Sequence, residues 1–408
     1  MNQLKKWQTK IFILCWLAYA FAYLGRTNLS IAIPSIESAL QLSSGKLGLL
    51  ASLFFWSYGI GQLINGYIGD KYSSKRLIFI GLIVSAIANL LFGFSTNYIV
   101  MGILWMINGY FLSMLWGPIM KTLSHWFNPE SRGNVAIGIS TSMVGGFLLA
   151  WGFIGFILSF MEWNWAFWIP GIIIFIFSIV FLIFSTDSPT DVHMPPISDE
   201  VHHQDQKTSE ISLLKVISET KLWFVVIACY AQGIVKDGIS LWAPKLLMDT
   251  HHLDIESAVP FIIFIPIMNF FGMFLASKLN KRFNNKEKLT AMVLFLLGII
   301  TLIGLIKIGV YSPILAIIFL GLSSAMMYGA NTILLGVIPL SYAKYNKTSS
   351  VAGFLDFNSY MAAGLSSLIA GFSLDSIGWN GILIFWTIMI AVAILALYRS
   401  LIHDRLKA

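Results

Sequence analysis

The sequence predicts an all-helical membrane protein with about twelve spans, arranged as two related six-helix halves. Three observations predict it. First, 57% of the 408 residues are hydrophobic and only 11% are charged. Soluble domains carry about 25% charged residues, and a mean hydropathy of +0.78 points the same way. Second, apolar runs of roughly 20 residues recur along the whole chain, each enough to cross about 30 Å of hydrocarbon. Third, the two halves share one unusual segment. Arg26 is followed by Ser30 and Pro34, and Lys236 by Ser240 and Pro244, each cation lying inside an apolar run.

The spans are expected near residues 11–33, 47–69, 77–94, 98–126, 135–160 and 165–184, then 222–247, 258–279, 289–308, 313–340, 349–374 and 379–401. The domains are therefore residues 1–185, a linker at 186–220, and residues 221–408. From Ser185 to Lys221 the chain is rich in Asp, Glu, Ser, Pro and His, with no helical apolar period before Ile211. It reads as a mostly flexible cytoplasmic linker with a short amphipathic end. Lys5, Lys6 and Lys10 ahead of an apolar run resemble a signal peptide, but Arg26 interrupts that run and no clean cleavage site follows.

Basic residues set the orientation. Lys71, Lys75, Arg76, Arg132, Lys281, Arg282, Lys286, Lys288, Lys344, Lys347, Arg405 and Lys407 fall on the side of Lys5, Lys6 and Lys10. The other side has little beyond Lys46, Lys245 and Lys307. Both termini are therefore expected in the cytoplasm of a multi-pass plasma (inner) membrane protein. The net charge of +7 then reflects loops facing anionic lipid, and no nucleic-acid partner is expected. The connections at 96–97 and 162–164 are so short that the helices they join must be antiparallel neighbours.

A guanidinium inside an apolar run costs several kcal/mol unless it meets a counter-charge or a water-filled cavity, so Arg26 is a functional candidate. Its planar fork suits a phosphate or carboxylate, and the Lys236 ammonium acts as a point charge. Arg26 could instead pair internally with Asp356 or Asp237. Lys236 has Asp237 as its sequence neighbour, although consecutive helical residues point about 100° apart and need not form a salt bridge. Tyr19 and Tyr23 fall near the Arg26 face at helical spacing, and Tyr328 and Tyr360 are their counterparts in the second half. Asp237 and Asp356 are the candidates for proton coupling.

Several classes find no support. No Gly-rich loop ending in Lys-Ser/Thr appears, so ATP-driven transport is not indicated. No nucleophile–His–acid set can be assembled, so an enzyme is not expected. His202-His203 and His251-His252 are adjacent pairs in loops, poor metal ligands, and no metal or cofactor is expected. Cys15 and Cys229 read as small apolar fillers. Gly145, Gly146 and Gly364 are expected to let helices pack closely.

The loop 66–76 carries Gly66, Gly69, Asp70, Lys71, Lys75 and Arg76, a pattern similar to the signature loop of the major facilitator superfamily, with Ser73 at the usual second-glycine position. Asp70, Lys71, Lys75 and Arg76 read as a gating latch. The counterpart at 272–278 lacks the acid. Within that superfamily the chain resembles the organophosphate–phosphate antiporters. The resemblance rests on Tyr23-Leu24-Gly25-Arg26 with Pro34, on Trp116, Pro118, His125, Trp126 and Arg132-Gly133, and on Lys236 with Trp242 and Pro244. Met327-Tyr328-Gly329, Ser359-Tyr360 and Gly378-Trp379 add to it.

The resemblance implies twelve spans in two pseudo-symmetric halves, an organic anion exchanged for phosphate, and no chemical conversion. It implies a phosphoryl site built from Arg26 and Lys236, one from each half. The partners are then a small organic anion, a counter-anion and the bilayer, and a monomer is expected. Gln62 and Ser142 stand where glycerol-phosphate exchangers carry a lysine and a histidine, which leaves room for a monoanionic acid. Proton-coupled uptake of an organic anion, efflux of a hydrophobic cation, and sensing of a sugar phosphate remain as rivals.

Overall fold

The computed structural model describes residues 3–197, 213–345 and 348–407, all-helical with no strand among them. The first half runs through α1 (Gln3–Leu40), α2 (Ser44–Lys71), α3 (Ser74–Phe94), α4 (Tyr98–Leu112), α5 (Trp116–Trp126), α6 (Pro129–Leu148), α7 (Gly155–Leu158) and α8 (Trp165–Phe184). After the short α9 (Leu213–Glu219), the second half comprises α10 (Trp223–His251), α11 (Ile255–Ile262), α12 (Phe264–Arg282), α13 (Glu287–Lys307), α14 (Pro313–Asn331) and α15 (Thr348–Lys407).

Eleven stretches among the described residues are long and apolar enough to cross a membrane. The last of them, Ser350–His403, holds 54 residues. At about 1.5 Å per residue it is more than twice the bilayer core, so it counts as two crossings. The break falls at Gly378, whose φ of 62° and ψ of −178° turn the chain where a side chain would be strained. That glycine separates the last two expected spans and brings the crossings to twelve.

Smaller breaks also follow from sequence. Pro118 has no N–H for the carbonyl one turn back, and the span 98–126 is divided into α4 and α5 just before it. A π turn at Leu149–Ile154 joins α6 to α7. The linker begins with more order than its composition suggests. The Asp187 carboxylate accepts from Ser73 Oγ at 2.5 Å and from the Lys75 backbone N–H at 2.6 Å, capping the start of α3. Pro189–Val192 follows as a 3-10 turn. The amphipathic end predicted from Ile211 appears as α9; residues 198–212, with His202 and His203, lie outside the described residues.

The halves meet along α2 and α15, where small residues bring the backbones together. A Cβ on Gly48 would fall 3.1 Å from Gly371 Cα and closer still to the Ser367 carbonyl oxygen. Ser52 Oγ donates to the Gly364 carbonyl at 2.7 Å, and Trp56 Nε1 to that of Met361 at 3.2 Å. Further along, around Gly66 and Gly353, nothing lies within 4 Å of the Cβ positions. The two helices thus touch at the Leu40 end and diverge toward the end that carries both termini. The expected close packing at Gly145, Gly146 and Gly364 is present, against Trp16, Tyr23 and Trp56.

Charges close the Leu40 end as well. Lys245 of α10 reaches Glu37 of α1 at 2.5 Å and Asp249 at 3.3 Å. Ser44 donates to Glu37, and Trp379 Nε1 to Asp249 at 3.0 Å. Placing a branched side chain in the α2–α15 contact by Gly48→Val should hold this end apart. A short reagent with two thiol-reactive groups that joins Glu37→Cys to Lys245→Cys in the native background should then fail to join them.

Candidate functional site

Arg26 sits mid-way along α1, and a buried polar network holds that turn. The Gly25 carbonyl accepts from Asn108 Nδ2 at 2.9 Å and from Asn89 Nδ2 at 3.2 Å. Asn28 donates to Asn89 Oδ1 and to the Ala166 carbonyl, both at 2.9 Å. Gly25 has to be small here, because a Cβ would stand 3.2 Å from the Asn89 amide and 2.5 Å from Ile174. Four elements (α1, α3, α4 and α8) thereby fix the base of the arginine, and a network satisfied throughout is stiff. Pro34 leaves the Ser30 carbonyl without a helical partner.

Lys236 is held equivalently in the other half. Gly233 packs against Ser359, and Gly238 lets the Trp386 ring approach to 2.6 Å of its Cβ position. Ser366 Oγ donates to the Ile234 carbonyl at 2.8 Å, tying α10 to α15. Ser240 Oγ donates to the Lys236 carbonyl at 2.9 Å, as Thr27 does to that of Tyr23 at 2.8 Å. The repeated cation, serine and proline thus occupy related places in α1 and α10.

The two cations face one cavity at the interface between halves, lined also by Tyr23, Ser30, Asp237, Ser240 and Tyr328. It offers about 40 Å³ to water centres, which is room for about three waters. Four aromatic rings surround the Arg26 guanidinium: Tyr58 at 4.8 Å, Tyr23 at 5.3 Å, Tyr360 at 5.4 Å and Phe54 at 5.6 Å. Both terminal nitrogens lie 3.4 Å from the Tyr360 hydroxyl. Lys236 Nζ is 5.5 Å from the Tyr328 ring and 5.7 Å from that of Tyr360.

Tyr360 lies against Arg26 and near Lys236, but neither it nor Tyr19 lines the cavity between the cations. Tyr19 packs 4.8 Å from Trp116 and 5.4 Å from Tyr23, beside a smaller pocket that it shares with Arg26 and Tyr58. Asp356, on α15, is half-buried.

The internal ion pairs divide unequally. Among the described residues Arg26 has no carboxylate within 4.0 Å, so the pairing with Asp356 or Asp237 is not made. Lys236, in contrast, pairs with Asp237 at 3.1 Å, and both side chains are more than nine-tenths buried. The 100° offset of consecutive residues therefore does not keep them apart; the long lysine side chain bends back over its own turn to reach the carboxylate.

Two features escaped the sequence reading. Tyr58 is the nearest ring to Arg26 and also packs 4.6 Å from Tyr360. It lies one helical turn before Gln62, the span-two position singled out for its missing cation, and that spacing was the available signal. The Glu37–Lys245–Asp249 cluster joins residues 208 apart in sequence, which no local pattern reveals. Ser142 is buried and spends its hydroxyl on the Ile139 carbonyl. At the latch, the side chains of Asp70 and Arg132 lie outside the described residues, while Lys71 and Arg76 are exposed and Lys75 half-buried near the start of α3.

A family model described as Major Facilitator Superfamily matches residues 15–367. The chain belongs to that superfamily. Membership makes it a transporter-type membrane protein rather than an enzyme. It is 27% identical to a probable hexose phosphate transport protein of Chlamydia pneumoniae over 96% of this chain and 90% of the relative. It is also 27% identical to the glycerol-3-phosphate transporter of Bacillus subtilis, over 96% and 92%. A membrane sensor protein, UhpC of Escherichia coli, is 24% identical over 96% and 91%. Among solved structures, a bacterial homolog of the human lysosomal transporter Spinster, inward-facing and unoccupied, superposes with a TM-score of 0.77 at 15% identity, covering 99% of each chain. That likeness is one of fold.

Removing one member of the buried pair leaves the other as an uncompensated charge. Lys236→Gln should lower stability by about 3 kcal/mol, read as a fall in melting temperature. The double variant Lys236→Gln with Asp237→Asn should recover most of it. A single variant as stable as the native protein would show that Asp237 does not depend on Lys236.

Proposed function

We propose that this protein exchanges a phosphorylated organic anion for inorganic phosphate across the plasma membrane by alternating access. The observation that carries the reading is the pair of cations, Arg26 from one half and Lys236 from the other, facing one cavity between the halves. Relatives named as hexose phosphate and glycerol-3-phosphate transporters support that substrate class. The exchanger works as a monomer with both termini in the cytoplasm, so the end at which α2 and α15 diverge is the cytoplasmic one. The basic loops on that end support this orientation. The Asp70, Lys71, Lys75 and Arg76 loop then lies at the open side and latches it when it closes.

The cycle follows from the geometry. An anion entering from the open side meets Arg26, whose guanidinium has aromatic faces around it but no carboxylate. Its phosphoryl oxygens take both forks of the guanidinium and the Lys236 ammonium. Bridging draws the halves together around the site. A ligand drives such a change only through its differential affinity for the two states, and charge bridging across the interface supplies that difference. Rocking then parts α2 from α15 near Gly48 and breaks the Glu37–Lys245 contact. The driving force is the counter-anion gradient.

Proton-coupled uptake of an organic carboxylate is the second reading, favoured by Asp356 and Asp237 beside the cations. It requires uptake to rise with external acidity and to proceed without a counter-anion. Purified protein in vesicles loaded with phosphate should exchange it for external radiolabelled phosphate, with trans-stimulation and little dependence on pH. Arg26→Gln removes a bidentate, charge-assisted contact, and exchange should fall at least about tenfold. Undiminished exchange in that variant would remove Arg26 from the site. Phosphate binding without flux would favour a sensor instead.

A further inference from the structure

The two cations are not in equal states, and the difference points to a third member of the site. Arg26 is held by rings and one hydroxyl, with no carboxylate within 4.0 Å among the described residues. Lys236 is already paired, at 3.1 Å, with a carboxylate more than nine-tenths buried. Among the described residues Asp237 Oδ2 has no partner beyond the lysine. The pair is made between consecutive residues of one helix, and Lys236, Asp237 and Arg26 all line the same cavity.

We propose that Asp237 is a built-in counter-anion that occupies Lys236 while the site is empty, so that a substrate docks first on Arg26 and then takes Lys236 from Asp237. The inference rests on the anion site proposed above and deepens it by naming what sets selectivity there. A carboxylate anchored beside Lys236 acts at high effective concentration, and a free monoanion offers no more charge than it does. A phosphoryl dianion brings more charge and three oxygens, enough to hold the guanidinium fork and the ammonium together. Asp237 therefore sets a threshold that weak anions do not pass. When the anion leaves, the carboxylate returns to the lysine, so neither side of the membrane faces a bare ammonium and release is eased. Among the described residues no carboxylate stands as close to Arg26 as Asp237 does to Lys236, which makes the arginine the first contact.

The test measures binding of inorganic phosphate to purified native protein, Asp237→Asn and Arg26→Gln, with acetate as competitor. Asp237→Asn should bind phosphate at least about tenfold more tightly, because the competing charge is gone. Its melting temperature should rise more on adding phosphate than that of the native protein, and acetate should now compete. Equal or weaker phosphate binding in Asp237→Asn, alongside lost binding in Arg26→Gln, would overturn the role of Asp237 and leave the exchanger reading standing. Native-like binding in Arg26→Gln would instead overturn the anion site itself. Infrared difference spectra of the native protein need no folded variant: adding phosphate should displace a carboxylate band, and a spectrum without one would overturn the proposal.

Discussion

A fixed charge buried at membrane depth must be compensated, and the centre of this molecule is organised by that requirement. Two cations enter the interior from opposite halves, and each meets it differently. Arg26 spreads its charge over four aromatic faces and one hydroxyl. Lys236, a compact ammonium with a higher hydration cost, is met by a carboxylate at 3.1 Å. Neither arrangement saturates its cation, since among the described residues Arg26 meets one hydroxyl at a long 3.4 Å and Lys236 a single carboxylate. An interior that compensates its charges only partly is one that an anion can complete.

Supporting that centre takes an unusual amount of polar structure. The Gly25 carbonyl is clamped by two asparagines that also reach Asn28 and Ser85, so the turn bearing Arg26 is set by α3, α4 and α8 together. In the second half, small residues on α10 let α15 come close enough to fix the turn bearing Lys236. The halves are individually stiff around their cations, and the adjustable surface is the one between them.

That surface is built asymmetrically along its length. Glycines bring α2 and α15 into backbone contact at one end, where Glu37, Lys245 and Asp249 add a charged closure, while near Gly66 and Gly353 the same two helices stand apart. The cavity between the cations is lined by Ala51, Phe54 and Phe55 of α2, beside the Ser52–Gly364 contact, so its occupancy and the opening of the interface are physically linked.

Composition and hydropathy alone determined that the chain is a twelve-span helical membrane protein. The cation–serine–proline repeat marked Arg26 and Lys236 as related positions in the two halves, because lipid-depth segments tolerate so few charges that each one is conspicuous. Gly378 and Pro118 placed local breaks for backbone reasons readable from one residue. Tertiary structure alone decided which partner each cation has. Asp237, about 100° round the helix from Lys236, could have paired with it or not, and a flexible lysine reaches it, while Arg26 has no carboxylate within 4.0 Å among the described residues. The ring of Tyr58 and the Glu37–Lys245 closure are likewise products of packing. They join residues on different helices, and a helical period carries no information about which neighbouring helix a face will meet.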